Sequence, residues 1–340
     1  MGLFKTANIT QRAEKISNFT INTTEYGSPV MELLGTTRIS GNVIYYDDFT
    51  AHEHRETHRS GKGGGVKTTT ITYTYTVAAI LGLCEGPVKN VKRVWKNKEV
   101  YTYPDGNIQL SLFKGTKDQK PWPYVVGKHP EKALAYPGLA YMAGVIDLGS
   151  SASMPNYNFE VQGQLTETGD GLDVNPADYI LYILSKIGLK DVQILGLENY
   201  RKYCREADLL ISTPSDATDA KAARDIVNEI AQLTNSYMFW SNDCFKIVPR
   251  ADRNIGSWKP DKNIIYDLTP DDFIQQGSGA CVSYSRKDSS ELFNRFSVEF
   301  LNRENAYEKE TVSYEDVDDI KKHGLRQSGT DMYPLYWTNR

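Results

Sequence analysis

Residues 68–83 read TTTITYTYTVAAILGL, and their periodicity decides how the chain around them is read. Thr70, Thr72, Thr74 and Thr76 alternate with Ile71, Tyr73, Tyr75 and Val77, a period of two in β-branched and aromatic residues that predicts a strand. The stretch overlaps GKGGGVKT at 61–68, where Gly61, Lys67 and Thr68 stand in the register of a phosphate-binding G-x-x-x-x-G-K-[ST] loop. That loop needs a glycine where Val66 stands, and a helix after it whose N-terminus favours the anion. A valine at that position and a strand after it argue against nucleotide binding, and the glycines read as a flexible connection.

The 340 residues exceed one ordinary core and fit two or three domains. With 40% hydrophobic and 24% charged residues the composition is that of a globular protein. The 22 tyrosines against 11 phenylalanines, with many threonines, favour β structure and surfaces that meet other surfaces. A formal net charge of −4 argues against general nucleic-acid binding, which rests on neutralising phosphates. The longest apolar run, Val77 to Cys84, is far short of the roughly 20 residues of a membrane span, so no membrane insertion is expected. No signal-peptide pattern opens the chain. Cys84, Cys204, Cys244 and Cys281 are scattered without C-x-x-C spacing and read as free, buried thiols of a protein made in a reducing cytoplasm. The sequons at Asn8, Asn18 and Asn22 and the myristoylation-like MGLFKT lack any second signal and read as chance.

The fold class expected is α+β, mainly β, in four parts. Residues 1–38 form an arm or edge strand with a turn at Tyr26-Gly27-Ser28-Pro29. Residues 39–165 form a strand-rich barrel or small sandwich, interrupted by a polar loop at 47–67 and an irregular excursion at 124–138. In the α+β unit at 166–267, Asn175 caps a helix with Pro176 at its first position and Ile180, Ile183, Leu184 and Ile187 on one face. Further helices are expected at 197–207 and 217–234, then short strands at 237–240 and 245–248. Residues 268–340 open on a capped turn at Thr269-Pro270-Asp271-Asp272, continue as a hairpin of 292–301 against 307–314 and a short helix at 317–322, and end in an irregular tail.

Three constellations merit weighing. His52, His54 and His58 form H-x-H-x3-H, which on a helix would put His54 and His58 on one face as metal ligands; HRETH places its glutamate one position late for a zinc-protease motif. Chance histidines in a polar loop is the preferred reading. Lys89, Lys92, Arg93, Lys96 and Lys98 surround Trp95, a patch that could stack on a single strand. In an acidic chain it reads instead as a solvated strand face. Asp170 and Asp173 lack calcium-loop spacing and read as turn and cap. No catalytic, cofactor-binding or metal-binding residue is assigned, no cofactor is expected, and the chain is read as a structural or interaction protein rather than an enzyme.

The order of several segments carries a resemblance: YGSPVMELLGTTRISGNVIYY at 26–46, GKGGG before YTYTVAAILGLCEGPVKNVKRVW at 73–95, YPGLAYMAGVIDL at 136–148, MPNYNFEVQG at 154–163, VNPADYILYIL at 174–184, FNRFSVEFLNRENAYEKETV at 293–312, and GLRQ at 324–327. In these the chain resembles the phage tail tip or baseplate hub proteins of long non-contractile tails, the group of lambda-type central tail tip proteins and gene-transfer-agent hubs. The resemblance implies two related tube-like β-barrel hub domains, 39–165 and 268–340, with the α+β unit inserted between them. It implies a homotrimer in the phage or prophage virion that joins the tail tube and distal tail protein to the tip fibre, meets the tape measure protein, and lines the channel through which DNA passes without specific binding during host attachment and genome ejection. Relatives usually continue past GLRQ, whereas this chain ends at WTNR, so the second barrel is expected to be incomplete. The alternative reading is a module that binds a host-surface glycan or protein.

Overall fold

The computed structural model describes residues 8–17, 20, 30–60, 66–212, 222–262, 266–274, 282, 284–288 and 291–332. These fold into two compact units, one built on 1–167 with 171–173 and 212–220, the other on 168–170, 174–211 and 221–340.

The first unit contains β1 (Asn8–Arg12), β2 (Thr36–Ser40), β3 (Asn42–Ser60), β4 (Val66–Glu85), β5 (Asn90–Lys96), β6 (Glu99–Thr102), β7 (Ser111–Lys114), helix α1 (Pro123–Lys128), β8 (Leu139–Gly149) and β9 (Tyr157–Gln162). Strand β4 is its axis. It pairs antiparallel with β3 from Asn42↔Gly82 to Ser60↔Val66, antiparallel with β8 over Tyr75–Glu85, and parallel with β1 over Lys67–Ile71. Strand β7 continues the sheet beyond β8, and a second sheet runs in the order β2, β9, β5, β6. Both sheets are open paths among the described residues, so the two-sheet packing expected as one of two options is found and ladder closure into a barrel is not.

Alternation along β4 explains the packing. Ile71, Tyr73, Tyr75, Val77, Ala79 and Leu81 join one core with Met142, Ile146 and Leu148 of β8 and with Val91, Val94, Phe159 and Val161 of the second sheet. The opposite face, Ala78 and Ile80, packs under Trp122 and Val125 with Tyr141 and Ala143. Beyond Val77 both faces of β4 are covered and every position through Cys84 is buried, so the polar alternation disappears from the sequence. The cover is the excursion expected to be irregular: it carries α1 and a 3-10 turn at Pro130–Lys132. On β8, Gly144 is required by close approach, since a Cβ there would lie 2.0 Å from the Gln109 carbonyl oxygen.

The expected polar loop at 47–67 is a correction. Strand β3 runs to Ser60 and β4 begins at Val66, so most of the segment is hairpin; GKGGG at 61–65 lies outside the described residues. Residues 52–59, HEHRETHR, carry no apolar alternation because they are exposed on both faces; backbone pairing to the Thr/Tyr run of β4 makes the strand.

The second unit holds α2 (Pro176–Lys186), β10 (Ile194–Leu195), α3 (Leu197–Glu206), α4 (Ala223–Leu233), β11 (Ser236–Ser241), β12 (Cys244–Pro249), β13 (Arg295–Asn302), β14 (Glu308–Glu315), α5 (Val317–His323) and β15 (Gln327–Met332). Its sheets run β10, β12, β11 and β14, β13, β15. Asn175 caps α2 as expected and does more: fully buried, its Oδ1 accepts from the Ala177 N–H at 3.0 Å while its Nδ2 donates to the Arg201 carbonyl at 3.0 Å, tying α2 to α3. The capped turn is found at Pro270–Asp272, where the Thr269 N–H donates to Asp272 Oδ2 at 2.7 Å. The tail expected to be irregular contains β15, parallel to β13. Asn294 makes that pairing possible, donating to Asp319 and to the Gly324 carbonyl and accepting from the Arg326 N–H at 2.7 Å.

Two substitutions test this packing. Phe159→Ala empties the centre of the first core and should cost about 3–5 kcal/mol in the first unit's unfolding free energy. Asn175→Ala removes a cap and the side-chain bond that ties α2 to α3, for about 1–2 kcal/mol in the second unit. Denaturant midpoints followed by a fluorescence probe in each unit measure both; a loss under about 1 kcal/mol at either site contradicts the account.

Candidate functional site

The distal half of the β3–β4 hairpin presents two different faces. On one, His52, His54, Glu56 and His58 stand opposite Thr74, Thr72, Thr70 and Thr68. His52 Nε2 meets Thr76 Oγ1 at 2.9 Å and His54 Nε2 meets Thr74 Oγ1 at 2.7 Å. Strand geometry makes His52 and His54 the neighbouring pair rather than His54 and His58, and among the described residues these imidazoles join no three-ligand cluster. On the other face Glu53 accepts from Arg12 at 3.0 Å, from the Tyr73 hydroxyl at 3.0 Å and from Arg55. These cations and the hydroxyl lower its pKa to about 2, the Arg55 bond contributing most. Arg12 thereby fastens β1 to the hairpin.

Val66 and Lys67 lie in β4, and a strand follows the glycines where a phosphate loop requires a helix. Trp95 is 3% exposed, enclosed by the guanidiniums of Arg38 at 4.6 Å and Arg93 at 5.1 Å from its ring centre. Arg93 in turn donates twice to buried Glu160, at 2.7 and 2.6 Å. The basic patch therefore offers no aromatic platform to a nucleic-acid base. Cys84, Cys204 and Cys244 are free and buried, and burial pushes the Cys84 and Cys204 thiols up to about 12; Cys281 lies outside the described residues, as do MGLFKT and the Asn18 and Asn22 sequons. Asp173 is buried and accepts from the Ser212 hydroxyl, which itself accepts the Thr36 N–H at 2.8 Å, a structural role.

A cluster that sequence reading missed sits where β3 bulges. Between Asp47↔Ala78 and Thr50↔Thr76 the strand gains one residue, and Asp48 adopts φ +53°, a left-handed conformation that aspartate tolerates. Consecutive strand residues ordinarily point to opposite faces, yet Asp48 Oδ2 lies 3.1 Å and Asp47 Oδ2 4.0 Å from His129 Nε2. Tyr124 donates to Asp48 Oδ2 at 2.8 Å and Lys132 pairs with Asp47. The Lys132 bond foremost holds the Asp47 carboxyl low, and the Tyr124 and His129 bonds do so for Asp48, while burial and Asp48 raise Tyr124 to about 12. The adjacent aspartates between Tyr45 and the HPEK segment at 129–132 were the only sequence signal, and nothing in their spacing announces a bulge.

Exposed apolar surface is concentrated on the second unit's sheets. Phe296 and Tyr314, directly paired across β13 and β14, are 47% and 70% exposed, with Val312 beside them and Phe293 edge-on to Phe296. Tyr237, Phe239 and Trp240 are exposed on β11.

Residues 222–331, from the start of α4 almost to the end of β15, match a family model described as "Putative phage tail protein". The fold matches a chain from the "Virion of native gene transfer agent (GTA) particle" with a TM-score of 0.62 and 18% identity, covering 97% of this chain and 74% of that one. No curated protein sequence matches significantly. The family match supports a phage tail-type protein, as the resemblance in sequence implied, and the structural match gives the fold, mainly β with several sheets and a minority of helix.

Because Glu53 has a depressed pKa, its anchoring of β1 is complete above the unfolded carboxyl's value of 4.5 and is lost as pH falls toward about 2. Protection of the amides of residues 8–12, taken relative to the intrinsic exchange rate at each pH, should fall over that window in the wild type, whereas Glu53→Gln should show low protection already at pH 6; protection that is independent of both contradicts the anchoring role.

Proposed function

We propose that the chain is a structural, non-catalytic component of a phage or prophage tail tip, the hub that joins the tail tube to the tip fibre and lines the DNA exit channel during host attachment and genome ejection. The observation that carries this reading is the similarity of fold, over 97% of the chain, to a chain of a gene transfer agent virion. The family match at 222–331 supports it independently in sequence. On this reading 39–165 and 268–340 are the two tube-like hub domains and 166–267 the insertion, and three copies form a ring that touches the distal tail protein, tail tube, tape measure protein and tip fibre. The exposed Phe296, Tyr314 and Val312 fit an assembling subunit, because apolar sheet faces of this kind are buried on association. The acidic net charge of −4 suits passage of DNA without adhesion. The protein is made in the host bacterium's cytoplasm and resides in the virion.

Mass photometry of the chain mixed with its distal tail protein tests the reading. A complex containing three copies of this chain is expected, lost in Phe296→Asp/Tyr314→Asp. A monomer that ignores the tail protein but binds on a glycan array through Tyr237, Phe239 and Trp240 would replace this reading with that of a host-surface binding module.

A further inference from the structure

We infer that residues 116–137 form a lid, hinged at Gly115 and Gly138, that lifts as one body from the face of β4 and β8 while the sheet beneath stays folded. The segment's backbone bonds close on one another, from the Gln119 N–H donating to the Thr116 carbonyl to the Leu134 N–H donating to the Lys132 carbonyl, and among the described residues none reaches a strand of the sheet. Lifting it therefore breaks no strand ladder. Its two ends are stapled to each other: Gln119 Oε1 accepts from the Gly115 N–H at 2.7 Å, and Gln119 Nε2 lies 3.1 Å from the carbonyl oxygens of Ala135, Tyr136 and Leu139. A loop with its neck closed in this way moves as a unit. Gly115 and Gly138 flank it with φ of +78° and +85°, a region that glycine enters without steric cost, so both ends can absorb the rotation.

Two kinds of contact keep the lid down. Trp122 and Val125 pack on Ala78, Ile80, Tyr141 and Ala143, and beside them Tyr124 and His129 meet Asp48 while Lys132 pairs with Asp47. These polar bonds latch the lid to β3. What opposes them lies underneath. The Tyr141 side chain is wholly buried, stacked on Phe113 with Tyr136 edge-on, and no atom of the described residues meets its hydroxyl. A buried hydroxyl without a partner costs free energy that contact with water removes. The closed state thus carries a penalty that the open state lacks, and the latch decides the balance. Opening uncovers Ala78, Ile80 and Ala143, apolar surface that the closed unit hides. The lid involves only the first unit's own residues and is independent of the proposed tail role.

Thiol labelling of the full chain with iodoacetamide at pH 7.5, followed site by site by mass spectrometry, tests it. A cysteine under the lid, Ala143→Cys, should react at least about a hundredfold faster than one in the core between the two sheets, Ala79→Cys, because the second must wait for the whole unit to unfold. Adding Phe159→Ala, which weakens that core but touches neither lid nor latch, should speed labelling at position 79 and leave position 143 unchanged. Adding Tyr124→Phe/His129→Ala/Lys132→Met, which removes the latch donors, should speed labelling at position 143 about tenfold or more. Adding Tyr141→Phe, which removes the unpartnered hydroxyl, should slow it about fivefold or more. Equal rates at the two positions, equal acceleration of both by Phe159→Ala, a latch variant that labels at the parent rate, or a Tyr141→Phe variant that labels no more slowly than its parent would each overturn the inference. Should Ala143→Cys disturb folding, Ala78→Cys takes its place with the same expected outcomes.

Discussion

Everything in the first unit depends on the unequal covering of β4. One 20-residue strand is paired along nearly its whole length with β3, but its two faces have different fates at different heights. From Val77 onward one face meets the second sheet and the other meets the excursion around α1, and the strand is continuously apolar. Before Thr76 only the Ile71, Tyr73 and Tyr75 face is buried, and threonines fill the other. Burial here is worth about 25 cal/mol per Å² of apolar surface, so the covered half anchors the unit while the distal half is held by backbone pairing and by Glu53.

That covering also explains what the sequence could reveal. Period-two alternation located β4, and the caps at Asn175 and Thr269 located α2 and the turn, because each is a local signal with a local cause. Residues 52–59 read as loop in the sequence because a strand exposed on both faces has no hydrophobic pattern; its evidence lies in β4, its partner. Strand β15 was missed for a similar reason, since its pairing to β13 is organised by Asn294, a residue more than thirty positions earlier. The Asp47–Asp48–His129 cluster joins residues some eighty positions apart through a bulge, and no sequence spacing encodes it. Trp95 was legible only in part: the sequence reads its basic stretch as a solvated strand face rather than a nucleic-acid surface, but nothing local shows that the ring itself is buried against two arginines.

The two units divide the chemistry. Among the described residues the first is a closely packed two-sheet body whose exposed aromatic is Tyr46, and the second carries the open sheet faces at Phe296, Tyr314, Tyr237 and Phe239. Large exposed apolar residues on paired strands are a liability for a solitary protein and an asset for one that assembles. The part of the sequence that carries these faces overlaps the family match over 222–331.

The central claim is that this chain is an integral tail component, and cryo-electron microscopy of intact particles carrying a small tag on the chain tests it most directly. The account predicts tag density at the distal end of the tail, arranged about its axis with three-fold symmetry. Tag density on the capsid, or particles that assemble complete tails without the chain, would contradict it.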